Sequence, residues 1–511
     1  MLFIIILFFL MLRYECVWAL PSDQFLLVKI DTMGQPIETI LSSINDPAID
    51  FTPSKNLRSK RLQGYAFSKS RVQKVMKLEN DLYLVKVPTA IEADTEQLVA
   101  QLREKVYVKY IEPDLPLHAF DAPNDPLFPE EWTCNVIHCE RAWDIVSGGN
   151  KAIAVIVDSG VDLQHEDLKK NLWKNMGEDW LDDDTPGVNG VDDDQNGFVD
   201  DYYGFNFLNG YGDVTDGYGH GTFINGIIAA EGDNAIGIAG LNWHLQVVNL
   251  KILDDDGGGF ISDAINAINY AIWLKKHEHK PVIVNISWGV GQFSQALEDA
   301  MKKAYEEADI LFVVAAGNNS SNIDDVLLYP ASYDLPNILS VAAIDEDNRL
   351  AGYSNYGKNT VDIAAPGSSI ISTYLENQYL YKSGTSFATA FVSGTCLLIL
   401  NAEPTISAMA LKDIIISNAT PLPDLDFLVS SGGVLNTWKS VMAAEGIEFG
   451  DVNSDGHIDI VDVIILARYI AGLKLTSNIN FYAADLNWDQ NVDVTDLILL
   501  TKYATGINEE H

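Results

Sequence analysis

The sequence predicts an α/β protein, a parallel sheet flanked by helices, with a smaller unit at each end. Three observations predict it. Between Asn124 and Ala444 short apolar runs alternate with helical stretches. Ahead of them lies an electrically neutral segment, with 13 basic and 13 acidic side chains over residues 20–118. Behind them come two similar Asp-rich segments whose first aspartates, Asp451 and Asp485, stand 34 positions apart. At 511 residues the chain also exceeds what one core usually holds.

An apolar fraction of 47% fits a packed protein, and a net charge of −39 repels phosphate, so nucleic acid is not expected as a partner. That charge favours solubility and cation binding. The apolar run Met1–Leu12 is too short to span a bilayer, and Val17-Trp18-Ala19 suits cleavage. Residues 1–19 are therefore expected to be a secretory signal, leaving an extracellular protein with no membrane span. Of the remaining cysteines, Cys396 falls in an apolar helical run and reads as core, while spacing alone leaves a Cys134–Cys139 bridge open.

In residues 24–118, Phe25–Ile30, Leu82–Val87 and Val106–Ile111 are expected as strands and Thr95–Lys105 as an amphipathic helix. In the region 124–444 the expected buried strands are Ile153–Val157, Val247–Ile252, Val282–Ile286, Ile310–Ala315 and Ile338–Ala342. The clearest helices are Ile261–Leu274, Ser294–Glu307 and Ser386–Leu400. Catalytic groups in such sheets sit at the carboxyl ends of strands.

One side chain placed in that way is Asp158, which ends the apolar run Ala152–Val157. His220 opens His-Gly-Thr, and Ser386 follows Gly384-Thr385 ahead of an apolar helix. A serine hydroxyl needs a base to remove its proton, a histidine can serve, and an aspartate can orient and stabilise the imidazolium. Gly384 is expected to allow close backbone approach at the turn into the helix. The helix start favours negative charge developing nearby.

The blocks Val157-Asp158-Ser159-Gly160-Val161-Asp162, Gly219-His220-Gly221-Thr222 and Gly384-Thr385-Ser386-Phe387-Ala388 together resemble the subtilisin family of serine proteases, which has this Asp…His…Ser order. The resemblance implies a peptide-bond hydrolase acting on proteins or peptides. It makes Asn318, in Ala315-Ala316-Gly317-Asn318, the donor to the tetrahedral oxyanion. It makes Ser287, Trp288, Gly289 and Gly317 substrate-binding residues, and places the wall of the specificity pocket at Ser287–Gly289 and Leu328–Pro330. Residues 24–118 are similar to the family's inhibitory, ferredoxin-like α+β propeptide, so the chain's own propeptide is an expected partner. Ala390 and Phe391 stand where the family has proline and histidine, and Phe223 and Asn225 where it has histidine and alanine. These departures leave a catalytically impaired pseudoprotease as the rival expectation.

The stretch Gly450–Asn508 carries calcium-loop spacing. Asp451, Asn453, Asp455, Asp459 and Asp462 occupy positions 1, 3, 5, 9 and 12, with Gly456 at the sharp turn and the His457 carbonyl at position 7. The second loop repeats this with Asp485, Asn487, Asp489, Asp493, Asp496 and the Asn491 carbonyl, but has Gln490 in place of glycine. Each loop is followed by one helix, expected at Val463–Ala471 and Leu497–Ala504, with no clear entering helix. This resembles a dockerin, which implies Ca²⁺ as the cofactor and docking to a cohesin module of a cellulosomal scaffoldin. The contact residues would be Ile460, Val461 and Arg468, then Val494, Thr495 and Lys502. A third loop inside the region 124–444 has similar spacing, with Asp192, Asp194, Asn196 and Asp201 as expected calcium ligands. The expected boundaries are thus 1–19 signal, 24–118 propeptide, 124–444 catalytic domain and 450–508 dockerin.

Overall fold

The computed structural model describes residues 122–178, 189–471, 479–487 and 491–505, together with five strands in the first 113 residues. The expected signal, the expected helix Thr95–Lys105, and Asp489 with Gln490 lie outside the described residues.

The N-terminal strands are β1 (Asp23–Ile30), β2 (Tyr65–Ala66), β3 (Lys74–Glu79), β4 (Leu82–Pro88) and β5 (Val108–Pro113). They form an antiparallel sheet in the order β2-β3-β4-β1-β5. β2 and β3 are additional to the strands expected there.

Phe120–Glu448 is a compact unit of its own. Its main sheet runs β15-β16-β12-β11-β10-β9-β6-β8-β7, comprising β6 (Gly148–Asp158), β7 (Gly204–Asn206), β8 (His244–Lys251), β9 (Val282–Ile286), β10 (Leu311–Ala315), β11 (Ile338–Ile344), β12 (Ile363–Pro366), β15 (Thr420–Pro421) and β16 (Gly433–Val434). All of its pairings are parallel except β15 with β16. β9, β10 and β11 are buried along their whole length, as expected for strands covered on both faces. A two-stranded hairpin, β13 (Ile370–Tyr374) with β14 (Gln378–Lys382), stands apart from this sheet.

Helices cover the sheet. Ile261–Glu278 and Gln295–Ala308 extend the expected helices, the second starting where the Ser294 hydroxyl accepts the Leu297 N–H. The helix Thr385–Ala402 is buried on nearly every side, which explains why it is apolar all round rather than amphipathic. The helix His220–Ala229 is likewise buried from Gly221 onward, so its sequence shows no polar face. Cys134 and Cys139 are joined by a disulfide, and Cys396 is a buried free thiol.

The C-terminal module packs helices Ile460–Ile470 and Val494–Thr505 around a small core of Val452, Ile465, Leu466, Ala484, Leu486 and Leu500. Both helices start three residues before the expected positions. A four-residue helix, Phe481–Ala484, also enters the second loop, where no entering helix was expected. It is too short to show a 3.6-residue period in sequence.

Candidate active site and cation-binding loops

Because the main strands run parallel, their carboxyl ends lie on one side of the sheet. Asp158 ends β6, Ser287 follows β9, and Gly317-Asn318 follow β10, so one edge collects residues far apart in sequence. The Asp158 carboxylate, 1% exposed, accepts the His220 Nδ1 proton at 2.8 Å (Oδ1) and 3.0 Å (Oδ2). This bond fixes the proton on Nδ1 and leaves Nε2 as the basic nitrogen. Burial alone would lower the His220 pKa. The charge of Asp158 and the hydrogen bond to it outweigh burial and raise it above the ordinary 6.5.

Asp216, which sequence reasoning missed, holds the start of the His220 helix. Its carboxylate accepts Gly219 N–H at 2.8 Å, Thr222 N–H at 2.9 Å and the Thr222 hydroxyl at 2.7 Å. Burial pushes its pKa up, but these bonds outweigh it and keep Asp216 below the usual carboxylate range. The signal was available as Asp-x-x-Gly-His, an acid placed to cap a helix.

Ser386 is the second residue of the helix Thr385–Ala402. Its hydroxyl donates to the Ser287 carbonyl at 3.1 Å, and the Ser287 hydroxyl donates back to the Ser386 carbonyl at 3.1 Å. Asn285 Nδ2 donates to Ser287 Oγ at 2.9 Å, and Ser393 donates to Asn285 Oδ1 at 2.8 Å. A polar chain running up the helix thus fixes its first turn. The Phe387 ring, next to Ser386, lies 5.9 Å from the His220 ring.

Asn318 is exposed, and its carboxamide oxygen is occupied by the Thr385 N–H at 2.9 Å and the Thr385 hydroxyl at 3.0 Å. Its Nδ2 is therefore the group left to donate. A Cβ at Gly384 would stand 3.6 Å from that nitrogen. Gly384 is extended, with φ 166°, so the tight approach expected there does not occur. A Cβ at 384 would make only ordinary contact with the Asn318 amide and the Phe387 ring. The close approach belongs to Gly367, where a Cβ would come within 2.9 Å of the Gly384 carbonyl.

Gly317 needs to be glycine, because its φ is +101° and a Cβ would meet Leu328 at 2.6 Å. Leu328 also lies 3.3 Å from a Cβ placed on exposed Gly289, so its side chain stands between the ends of β9 and β10. Trp288 turns its indole N–H onto the Val157 carbonyl at 2.9 Å, tying this edge to β6. The departures noted in sequence all fall behind the site. The Phe223 ring lies tilted against Phe387, centroids 4.4 Å apart, Asn225 pairs with Asn249 at 2.8 Å, and Ala390 and Phe391 are buried in the helix.

The profile of the Subtilase family matches residues 149–436. The chain belongs to that family of serine proteases. It is 33% identical to a thermophilic serine proteinase of Bacillus sp. (strain AK1) over 322 residues, covering 63% of this chain and 70% of that one. It is 31% identical to an extracellular protease of Xanthomonas campestris, covering 71% of this chain and 64% of the relative. It is also 31% identical to subtilisin-like protease 1 of Plasmodium vivax, and spans about half of that protein, 52%. Among solved structures, proteases from Pseudoalteromonas arctica share the fold, with TM-score 0.51 and 24% identity over 63% of this chain and 100% of theirs. The Dockerin type I domain profile matches residues 449–504, so the subtilase domain is followed by a dockerin.

In the subtilase domain's acidic loop the structure brings together Asp194, Asp201 and Glu178, whose carboxylate oxygens lie within 4.8 Å of one another. Sequence reasoning missed Glu178, which precedes the loop by more than a dozen positions. Among the described residues neither of its buried oxygens has a hydrogen-bond partner at full geometry, although the nearby Asp193 N–H tempers its charge. Burial first, then the neighbouring Asp201 and Asp194 charges, push Glu178 up to about 7. Burial likewise raises Asp201 to about 6, against hydrogen bonds from Tyr270, Asn175 and Asn196. Asp192 is not in this trio. It accepts Asn196 N–H at 3.0 Å and Gly197 N–H at 2.8 Å, shaping the loop. Asn196 binds Asp194 at 3.2 Å and Asp201 at 3.0 Å through its amide.

The first dockerin loop has the same scheme. Asp451 accepts Asp455 N–H at 3.0 Å and Gly456 N–H at 2.8 Å, and Gly456 has φ +81°. Asp462 closes the loop by accepting Asn453 N–H at 3.1 Å and Asp459 N–H at 2.9 Å. In the second loop Asp496 does the same for Asn487 N–H at 3.1 Å and Asp493 N–H at 2.8 Å. Asp459 and Asp493 each also accept the N–H two residues on, at 2.7 Å. Asp451, Asp462, Asp485 and Asp496 are all buried, and oxygen-only donors at this spacing fit calcium.

Proposed function

We propose that this chain is a secreted endopeptidase in which Ser386 is the nucleophile, His220 the general base and Asp158 its orienting partner. The observation that carries the reading is the Asp158–His220 pair, 2.8 Å apart, set beside the first turn of the Ser386 helix. The Ser386 hydroxyl turns from the Ser287 carbonyl toward His220 Nε2 and gives up its proton as Oγ bonds to the scissile carbonyl carbon. The carbonyl electron pair moves to oxygen, where Asn318 Nδ2 donates to the developing charge. Collapse breaks the C–N bond, and Nε2 returns the proton to the leaving amine. Water then repeats the sequence through His220, releasing the acid and restoring Ser386. Ser287–Gly289 and Gly317 line the acyl side, with Leu328 limiting the pocket.

The rival, a pseudoprotease, draws support from the Ser386 hydroxyl bonding to Ser287 rather than to His220. Labelling the processed chain with a fluorophosphonate decides between them. An adduct on Ser386 that is absent in Ser386→Ala supports the enzyme, and an unlabelled Ser386 in correctly folded chain sinks it.

Residues 24–118 act on this reading as an inhibitory propeptide, and the added segment should inhibit the processed chain. Calcium is the cofactor. In the dockerin, Asp451, Asn453, Asp455, Asp459, Asp462 and the His457 carbonyl hold one ion, and Asp485, Asn487, Asp489, Asp493, Asp496 and the Asn491 carbonyl a second. In the subtilase domain Asp194 and Asp201 are joined by Glu178 and Asn196. Exposed Ile460, Val461 and Ile464, with Val494 and Ile498, offer the apolar surface for a cohesin, which would place the protease on an extracellular scaffoldin. Capture of the full chain by immobilised cohesin in calcium, and its release by chelator, tests this assignment.

A further inference from the structure

Lys382 ends the hairpin strand β14, four positions before Ser386. Its ammonium lies 4.3 Å over the Tyr374 ring and 5.8 Å from the Phe223 ring. Both rings belong to the surroundings of His220. Tyr374 lies against Gly219, where a Cβ would come within 2.3 Å of it, and its hydroxyl donates to the Tyr218 carbonyl at 3.2 Å. Phe223 packs against Phe387, the ring beside His220. The ammonium is therefore pinned on an aromatic seat at the flank of the catalytic base, and its charge is felt at His220.

What this cation lacks is a carboxylate. Among the described residues Lys382 makes no salt bridge, although the chain carries a net charge of −39. Asp216 is near enough to act on it electrostatically, but is buried and already engaged by Thr222 and Gly219. Partial burial makes the unpaired charge unfavourable, lowering the Lys382 pKa. An unpaired, half-buried cation in an acidic protein is explained if a ligand supplies its partner.

The side of the site it faces follows from the mechanism. His220 hands its proton to the departing amine, so the segment after the scissile bond lies along the His220 flank. The acyl segment lies along Ser287–Gly289 and Gly317. We propose that Lys382 is a specificity-determining residue that selects peptide bonds followed, within two residues, by aspartate or glutamate. The inference rests on the proposed roles of Ser386 and His220 for its orientation.

The test uses peptides that differ only in the two residues after the scissile bond, as Glu, Gln or Lys. With the processed full chain, kcat/KM should favour Glu over Gln by about 5-fold, the effect of a half-exposed ion pair, and Gln over Lys by a similar factor. Lys382→Arg should keep the order, Lys382→Met should bring the ratios near one, and Lys382→Glu should reverse them. A purely structural role for Lys382 would change rates without reversing the order. The same peptides titrated by fluorescence anisotropy against Ser386→Ala, with and without Lys382→Glu, read binding alone, so the outcome stands even if turnover is absent. An unchanged Glu-to-Lys order in the Lys382→Glu chain, in turnover or in binding, overturns the proposal.

Discussion

The active-site edge and the dockerin loops achieve function by opposite routes. At the edge, Asp158, His220, Asn318 and Ser386 come from segments spread over more than two hundred positions and are brought together by the fold. In the first dockerin loop, Asp451 to Asp462 close on themselves within twelve positions, each carboxylate holding a backbone N–H of the same loop. The subtilase-domain loop Asp192–Asp201 is intermediate. It shares the dockerin's turn, with Asp192 doing what Asp451 does, but its acidic trio depends on Glu178 from outside. Local loops depend on spacing, whereas assembled sites depend on the fold, so the two should fail independently.

The sharpest way to break that comparison is to remove the proposed nucleophile. Ser386→Ala should lower kcat by about 10⁶-fold, the loss measured for this triad in subtilisin. Calcium binding by the dockerin, titrated calorimetrically, should be unchanged. Asn318→Ala should cost about 10²–10³-fold in kcat with little change in KM if, as proposed, its Nδ2 serves the transition state; subtilisin supplies this magnitude too. A fall in calcium stoichiometry in either variant would show that the two regions are coupled.

The reverse experiment acts on the loops. Asp451→Ala should reduce bound calcium by one ion and leave peptide turnover unchanged. Glu178→Gln should weaken calcium protection of the subtilase domain by about 10-fold or more, since even groups outside a metal's ligand set are worth that much. The readout is the half-life of peptidase activity at elevated temperature against added calcium. An activity half-life with the same calcium dependence in Glu178→Gln and wild type would remove Glu178 from the site.

This division also explains what was legible in the sequence. The buried strands were readable because parallel strands covered on both faces become continuous apolar runs, as in Val282–Ile286, where expectation and structure coincide. The family blocks around Asp158, His220 and Ser386 are local, and so are the dockerin loops. Glu178 and Lys382 were not readable, because nothing near either in sequence shows what the fold sets beside it. Asp216 was readable in principle as a helix cap. Gly384 was misread, because a glycine two positions before a serine suggests backbone crowding, whereas a Cβ there would make only ordinary contacts with Asn318 and Phe387.

The smallest effect probes the edge without dismantling it. Three charged groups act on His220: Asp158 and Asp216 raise its pKa, while Lys382 lowers it, and burial also lowers it. The net is a rise above 6.5. Only neutral His220 can take the Ser386 proton, so kcat/KM should fall as pH drops through a midpoint above 6.5, with the fluorophosphonate labelling rate following the same curve. The stability contribution runs the other way. A histidine whose folded pKa is raised stabilises the fold below its unfolded pKa, and that contribution is lost as pH rises through the folded value. Activity at this edge therefore grows over the pH range in which the Asp158–His220 charge pair ceases to stabilise it. Lys382→Met removes a charge that disfavours protonation, so its acid limb should move to higher pH than that of the wild type. A limb at or below 6.5 in the wild type, or one that moves down in Lys382→Met, would show that burial and not Asp158 governs the base.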